Sequence, residues 1–219
     1  QDYGRGIVIG EPTFGKGTVQ TLIDLNRYVP GRGDDLGRLR LTMAEFFRVS
    51  GGSTQLRGVE PDIVFPTALK SDKHGERSLD NPLPWNSIRP AKHTKVSSDE
   101  IHSLRESSIE RVARDAGFGM LTAREQVLRE LDEQTVVSLR ESDRRVESRR
   151  REKILKDQRD DFLRTQGIVP VDEDDDDVDE DALEAQQDVI DRIQIREAAG
   201  VLADSLRAAA VRPRAVMRN

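Results

Sequence analysis

Short apolar and β-branched runs occupy the early part of the chain, and helical periodicity takes over after them. Gly6-Ile7-Val8-Ile9 reads as a buried strand, and Thr18 to Leu25 alternates loosely between polar and apolar positions, as a half-buried strand does. Leu39 to Met43 alternates too, and Phe46-Phe47-Arg48-Val49 continues the sheet past a bulge or turn expected at Ala44-Glu45. Ile63-Val64-Phe65 supplies one more short strand, at an edge because Pro61 has no N–H to give a ladder. Residues 26–37 form a loop. From Pro66 to Val96 the chain is polar and broken by Pro66, Pro82, Pro84 and Pro90, which predicts an extended surface connector anchored by Trp85.

Helices follow. Ser97 and Glu100 have the spacing of a capping box, predicting a helix to about Asp115 that Gly117 and Gly119 stop. Thr122 and Glu125 form a second box, opening a pattern that reaches Gln166. Val127, Leu128, Leu131, Val136 and Leu139 make an apolar stripe in its first part. From Arg140 to Asp161 only Val146, Ile154 and Leu155 are apolar, so that part is expected in solvent or lying across another surface, steadied by interleaved basic and acidic pairs. Asp172 to Asp181 holds nine acidic residues of ten, and self-repulsion predicts an extended linker. Ala182 to Ala210 reads as a last amphipathic helix whose Ile193, Ile195, Val201, Leu202 and Leu206 need a partner surface. The expected class is α+β, divided as 1–66 (sheet), 67–96 (connector), 97–170 (charged helices), 171–181 (acidic linker) and 182–211 (final helix).

Composition narrows the function. Hydrophobic and charged residues each make up 35% of the 219-residue chain, which allows one modest mixed core with a polar helical extension. A net charge of −6 argues against a general nucleic-acid binder. The arginine cluster from Arg144 to Arg151 is interrupted by Glu147 and has no aromatic for stacking bases, so it reads as a solvated helix face. The chain has no cysteine for a disulfide or thiolate site, and His74, His93 and His102 lack metal-ligand spacing. No metal or cofactor is expected, and no stretch is long and apolar enough to span a membrane.

The richest chemistry lies in Gly15-Lys16-Gly17, a lysine held between glycines on a turn that opens into a strand. Glycines let another main chain pass close by, so an amine here can be packed against protein. If the strand starts at the lysine, the period of two sets Lys16 and Gln20 on one face. Gly10 with Gly15-Lys16 also has the spacing that begins a phosphate-binding P-loop, but Gly17 stands where a Ser or Thr should hold magnesium. A P-loop must also run into a helix, whereas Thr18-Val19-Gln20-Thr21-Leu22-Ile23 is strand-like.

The run from Gly6 to Gln20, with Phe46 to Gln55 and Gly58-Val59-Glu60-Pro61-Asp62-Ile63-Val64, closely resembles the end of the protease domain in tail-specific, or C-terminal processing, serine peptidases. Leu79-Asp80-Asn81-Pro82-Leu83-Pro84-Trp85 resembles the linker into the helical C-terminal region of the larger, periplasmic bacterial members. The resemblance implies a Ser-Lys dyad in which Lys16 is the general base and Gln20 the glutamine that accompanies it. A lysine serves as a base near neutral pH only where its surroundings disfavour the ammonium, and Ile9, Phe14 and Val19 are the local candidates for an apolar wall. The resemblance further implies protein substrates with apolar C-terminal tails, a possible adaptor protein and a periplasmic setting. The family's serine lies upstream of the lysine, as does the PDZ module that captures the substrate tail. Both are expected to lie outside this chain, leaving it inactive alone. The rival reading is a non-enzymatic helical interaction module that binds through the last helix.

Overall fold

The computed structural model describes residues 1–28, 31, 35–67, 74–94, 100–172 and 179–211. Its chain is α+β and divides into two compact units, Gln1–Val64 with Lys70–Ser97, and Phe65–Leu69 with Ser98–Asn219.

In the first unit, β1 (Ile9–Gly10) pairs in parallel with β4 (Ile63–Val64), and β2 (Thr18–Asp24) pairs antiparallel with β3 (Arg38–Glu45). The β2–β3 ribbon runs from Thr18 opposite Glu45 to Asp24 opposite Arg38, with one irregularity. Val19 faces Ala44 but Gln20 faces Thr42, so Met43 is the extra residue and the bulge falls one position before the Ala44-Glu45 expected from sequence. Beyond β3 the chain turns through Gly51-Gly52, with Phe47 bridging Ser53. The connector then runs alongside: Ser53 N–H donates to the Asn86 carbonyl at 3.0 Å and Ile88 N–H to that of Gly51 at 2.8 Å. Trp85 is its anchor, donating its indole N–H to the Ser53 carbonyl at 2.8 Å beneath the Arg57 guanidinium, 3.9 Å from the ring centre.

The second unit is helical: α1 (Ile101–Val112), α2 (Ala116–Glu133), α3 (Glu141–Thr165) and α4 (Glu180–Val211). Helix α4 packs on α1 and α2, and α3 packs on α2. Leu104, Phe118, Phe162, Leu163, Ile193 and Val201 form the core, with Phe65 edge-on to Phe118 at 5.0 Å between ring centres. Of the capping box expected before α1, Ser97 to Asp99 lie outside the described residues, as does 173–178 of the acidic run.

Two helix limits differ from the sequence reading. Gly117 and Gly119 do not stop a helix; they lie in the first turn of α2, which Asp115 caps by accepting the Phe118 N–H at 2.9 Å. Gly117 is there for space, because a Cβ at that position would stand 2.8 Å from Ile193 of α4. The pattern traced from Thr122 to Gln166 is also two helices, since Gln134 and Arg140 are both extended at the ends of α2 and α3. The β-branched run Thr135-Val136-Val137 disfavours helix there, and the Ser138 hydroxyl binds Arg140 N–H and Asp143 at the restart. Val136 and Leu139, placed on the apolar stripe, are instead 79% and 96% exposed. The basic helix α3 carries the expected pairs, Arg145 with Glu141 at 2.6 Å and Lys153 with Asp157 at 2.9 Å. Loss of the cap in Asp115→Ala lowers stability by about 1 kcal/mol, read as an earlier urea midpoint at unchanged slope.

Candidate active site

Lys16 sits on a loop whose backbone is fastened on both sides of it. The Phe14 carbonyl accepts Glu76 N–H at 2.8 Å, the Gly15 carbonyl accepts Leu56 N–H at 2.8 Å, and the Gly17 carbonyl accepts Phe46 N–H at 3.0 Å. Gly17 N–H donates to Gln55 Oε1 at 2.8 Å. The glycines have the purpose read from sequence. Gly15 has φ +93°, and a Cβ on Gly17 would lie 2.5 Å from the Gln55 backbone nitrogen. The main chain of Ser53 to Gly58 therefore passes directly against the loop.

The lysine side chain is less enclosed than its backbone. Its Nζ donates to Thr18 Oγ1 at 2.8 Å, and Thr18 is buried at the start of β2. Gln20 is exposed two residues further along, its amide directed across the ribbon to Thr42 Oγ1 at 3.4 Å. Thr18 thus sits between the two residues singled out, at the alternate position of the strand. Phe14 and Val19 are 57% and 50% exposed and Ile9 is half-buried, so the apolar wall expected around the amine is not closed by these residues of the chain.

Three residues of this arrangement escaped the sequence reading: Thr18, Gln55 and Glu76. The alternation that links Lys16 to Gln20 points equally to Thr18. Gln55 and Glu76 are buried, at 0% and 6% exposed, against the usual preference of their side chains for solvent, and periodicity carries no signal of that. Ser53, whose hydroxyl lies against Gly17, accepts Gln55 N–H at 3.0 Å and is buried, so it is occupied structurally. The phosphate-binding alternative lacks its helix: Lys16-Gly17 runs directly into β2, where a P-loop would run into an α-helix.

Residues 1–65 match peptidase family S41, and residues 69–207 match the family described as the C-terminal domain of tail specific protease. The chain belongs to the tail-specific protease family. It is 39% identical over 153 residues to the tail-specific protease of Haemophilus influenzae, an alignment covering 68% of this chain and 22% of that protein. It is 41% identical over 75 residues to the carboxy-terminal-processing protease of Bartonella bacilliformis, covering 34% of this chain and 15% of the relative. The chloroplastic C-terminal processing peptidase of Tetradesmus obliquus is 34% identical over 76 residues, with the same shares. The chain therefore spans 22% of the length of the first of these relatives and 15% of each of the other two. No described helix is long and apolar enough to cross a membrane.

Proposed function

We propose that this chain is part of a tail-specific serine endopeptidase in which Lys16 is the general base and Gln20 orients it. The observation that carries the proposal is the immobilised loop: four backbone hydrogen bonds hold residues 14–17 while the amine they present stays at the surface beside β2. A solvent lysine needs no such anchorage, whereas a base must be held within hydrogen-bond reach of the group it deprotonates.

In this mechanism the neutral amine takes the proton of a serine hydroxyl as Oγ bonds to the scissile carbonyl carbon. The resulting ammonium returns that proton to the leaving amine as the C–N bond breaks. Water then attacks the acyl-enzyme, giving its proton to the same amine, and the serine is released with a proton from it. In this reading the serine lies upstream of the lysine, as the family resemblance implies. Thr18 supplies a neutral acceptor that steadies the amine without the charge of a carboxylate, and Gln20 can do the same for the hydroxyl.

Substrates in this reading are proteins with apolar C-terminal tails, met in the periplasm and delivered directly or by an adaptor. The test is cleavage of one reporter protein by the complete enzyme, with an apolar tail or with the same tail ending in two aspartates, followed by mass spectrometry. Cleavage confined to the apolar tail is expected; equal cleavage of both, or of neither, rejects it. A non-enzymatic reading has one observation in its favour, the exposed Ile195, Leu202 and Leu206 on α4. It predicts partner binding by a protein that never cuts the reporter.

A further inference from the structure

Gln55 is fully buried, and all the hydrogen-bonding capacity of its amide nitrogen is used. Its Oε1 accepts Gly17 N–H at 2.8 Å, and its Nε2 donates to Glu76 Oε1 and to the Leu83 carbonyl, each at 3.1 Å. The reversed amide would set NH₂ against an N–H and its oxygen against a carboxylate and a carbonyl, so only one orientation satisfies all three partners. Glu76 is itself buried and also donates its backbone N–H to the Phe14 carbonyl at 2.8 Å. The segment from Gly75 to Leu83 thus grips the lysine loop twice, at residue 14 through the backbone and at residue 17 through Gln55. Lys16 lies between the two grips.

Stability alone is a poor account of this pairing. Sinking a carboxylate to bind a neutral amide is costly compared with an apolar contact, and the loop already has backbone bonds from Leu56 and Phe46. What the pairing adds is a fixed place for one turn. The gripping segment falls within the range matched by the C-terminal domain family, and the gripped loop within the peptidase match.

We infer that Gln55 and Glu76 are positioning residues for Lys16, through which the entry segment of the C-terminal domain sets the placement of the catalytic amine. The inference rests on Lys16 being the base. In Gln55→Glu the new carboxyl group can offer at most one proton where the amide offered two, so either Glu76 or the Leu83 carbonyl loses its donor and the turn at Gly17 shifts. Displacement of the base by about an ångström lowers kcat roughly 10²-fold in the complete enzyme, with KM unchanged because substrate binding is untouched. Glu76→Gln alone keeps an acceptor for Gln55 but not its charge, and lowers kcat less than Gln55→Glu does. Combined with Gln55→Glu it restores a donor opposite the new carboxylate and recovers most of the lost rate.

The assay is steady-state cleavage of the apolar-tail reporter, with circular dichroism and melting curves to establish that each variant is folded. Gln55→Met, which keeps the volume and loses every bond of the amide, decides the matter if Gln55→Glu does not fold. A folded Gln55→Met or Gln55→Glu with wild-type kcat overturns the inference, as does a fall in kcat that Glu76→Gln fails to relieve in the double variant. Lys16→Ala runs in parallel: if it still cleaves, the reading beneath fails, and if it is dead while Gln55→Glu is fully active, only the positioning role fails.

Discussion

Lys16→Ala in the complete enzyme lowers kcat about 10³-fold, the scale of a lost general base. In this chain the side chain is exposed and its described bond is to its neighbour Thr18, so the same substitution in the chain by itself changes stability by less than about 0.5 kcal/mol. Lys16→Arg is equally inactive. A guanidinium keeps a positive charge and the hydrogen bond but cannot give up its proton to become a base. Together the two variants separate charge from proton transfer, which alanine alone does not. The measurements are reporter cleavage under saturating substrate and a melting curve for each protein. Residual activity in Lys16→Arg near the wild-type level excludes the amine as base, whereas loss of the melting transition in either variant contradicts the exposed placement of the side chain.

The second large effect is on folding. Arg111 of α1 reaches α4, where its Nε and Nη2 meet the two oxygens of Glu197 at 3.0 and 2.8 Å and its Nη1 meets Asp204. The hydrogen bond to Glu197 is the main reason that the Arg111 proton is held more tightly than usual. Removing the guanidinium leaves unequal orphans. Asp204 keeps Arg207 at 3.0 Å, while Glu197, 7% exposed, is left with a buried charge. Arg111→Met therefore destabilises the helical unit by about 2.5 kcal/mol, below the range for a fully buried pair because Arg111 itself is 36% exposed. The thermal midpoint falls by roughly 10 °C. Glu197→Leu in the same background removes the orphan and regains most of that loss. A wild-type midpoint for Arg111→Met, or no recovery in the double variant, contradicts this account.

The alternating strands β2 and β3 were legible in the sequence, whereas of the run Gly6 to Ile9 only Ile9 is in a strand, and Phe46 to Val49 forms no strand, only the Phe47–Ser53 bridge. The ribbon bulge was placed within a residue of Met43. Helix ends were read less well: the glycines that looked like stops at 117 and 119 are first-turn residues, one of them making room for Ile193. A glycine that ends a helix and a glycine that admits a neighbouring side chain are the same letter, and only the neighbour distinguishes them.

Helix α4 makes the same point energetically. Its apolar pattern asked for a partner surface for Ile193, Ile195, Val201, Leu202 and Leu206; Ile195, Leu202 and Leu206 are exposed, and the buried row is Gln186, Ile193, Glu197 and Val201. Two of those four are polar, and each is satisfied from a distance. Gln186 Oε1 accepts Val171 N–H at 3.1 Å, and Glu197 takes Arg111 from a separate helix. Amphipathic counting assigns burial by hydrophobicity, so it misses a polar side chain whose partner arrives through the fold.

By itself the sequence determined the family, the α+β class, the strand that carries Gln20 and the loop that carries Lys16, because all of these are written in residues adjacent along the chain. The tertiary structure alone decided what holds that loop. Gly17 is bound by a glutamine 38 residues away, which is in turn bound by a glutamate 21 residues further on. Hydrogen bonds between buried groups depend on distance and direction in space, and neither is encoded in local spacing.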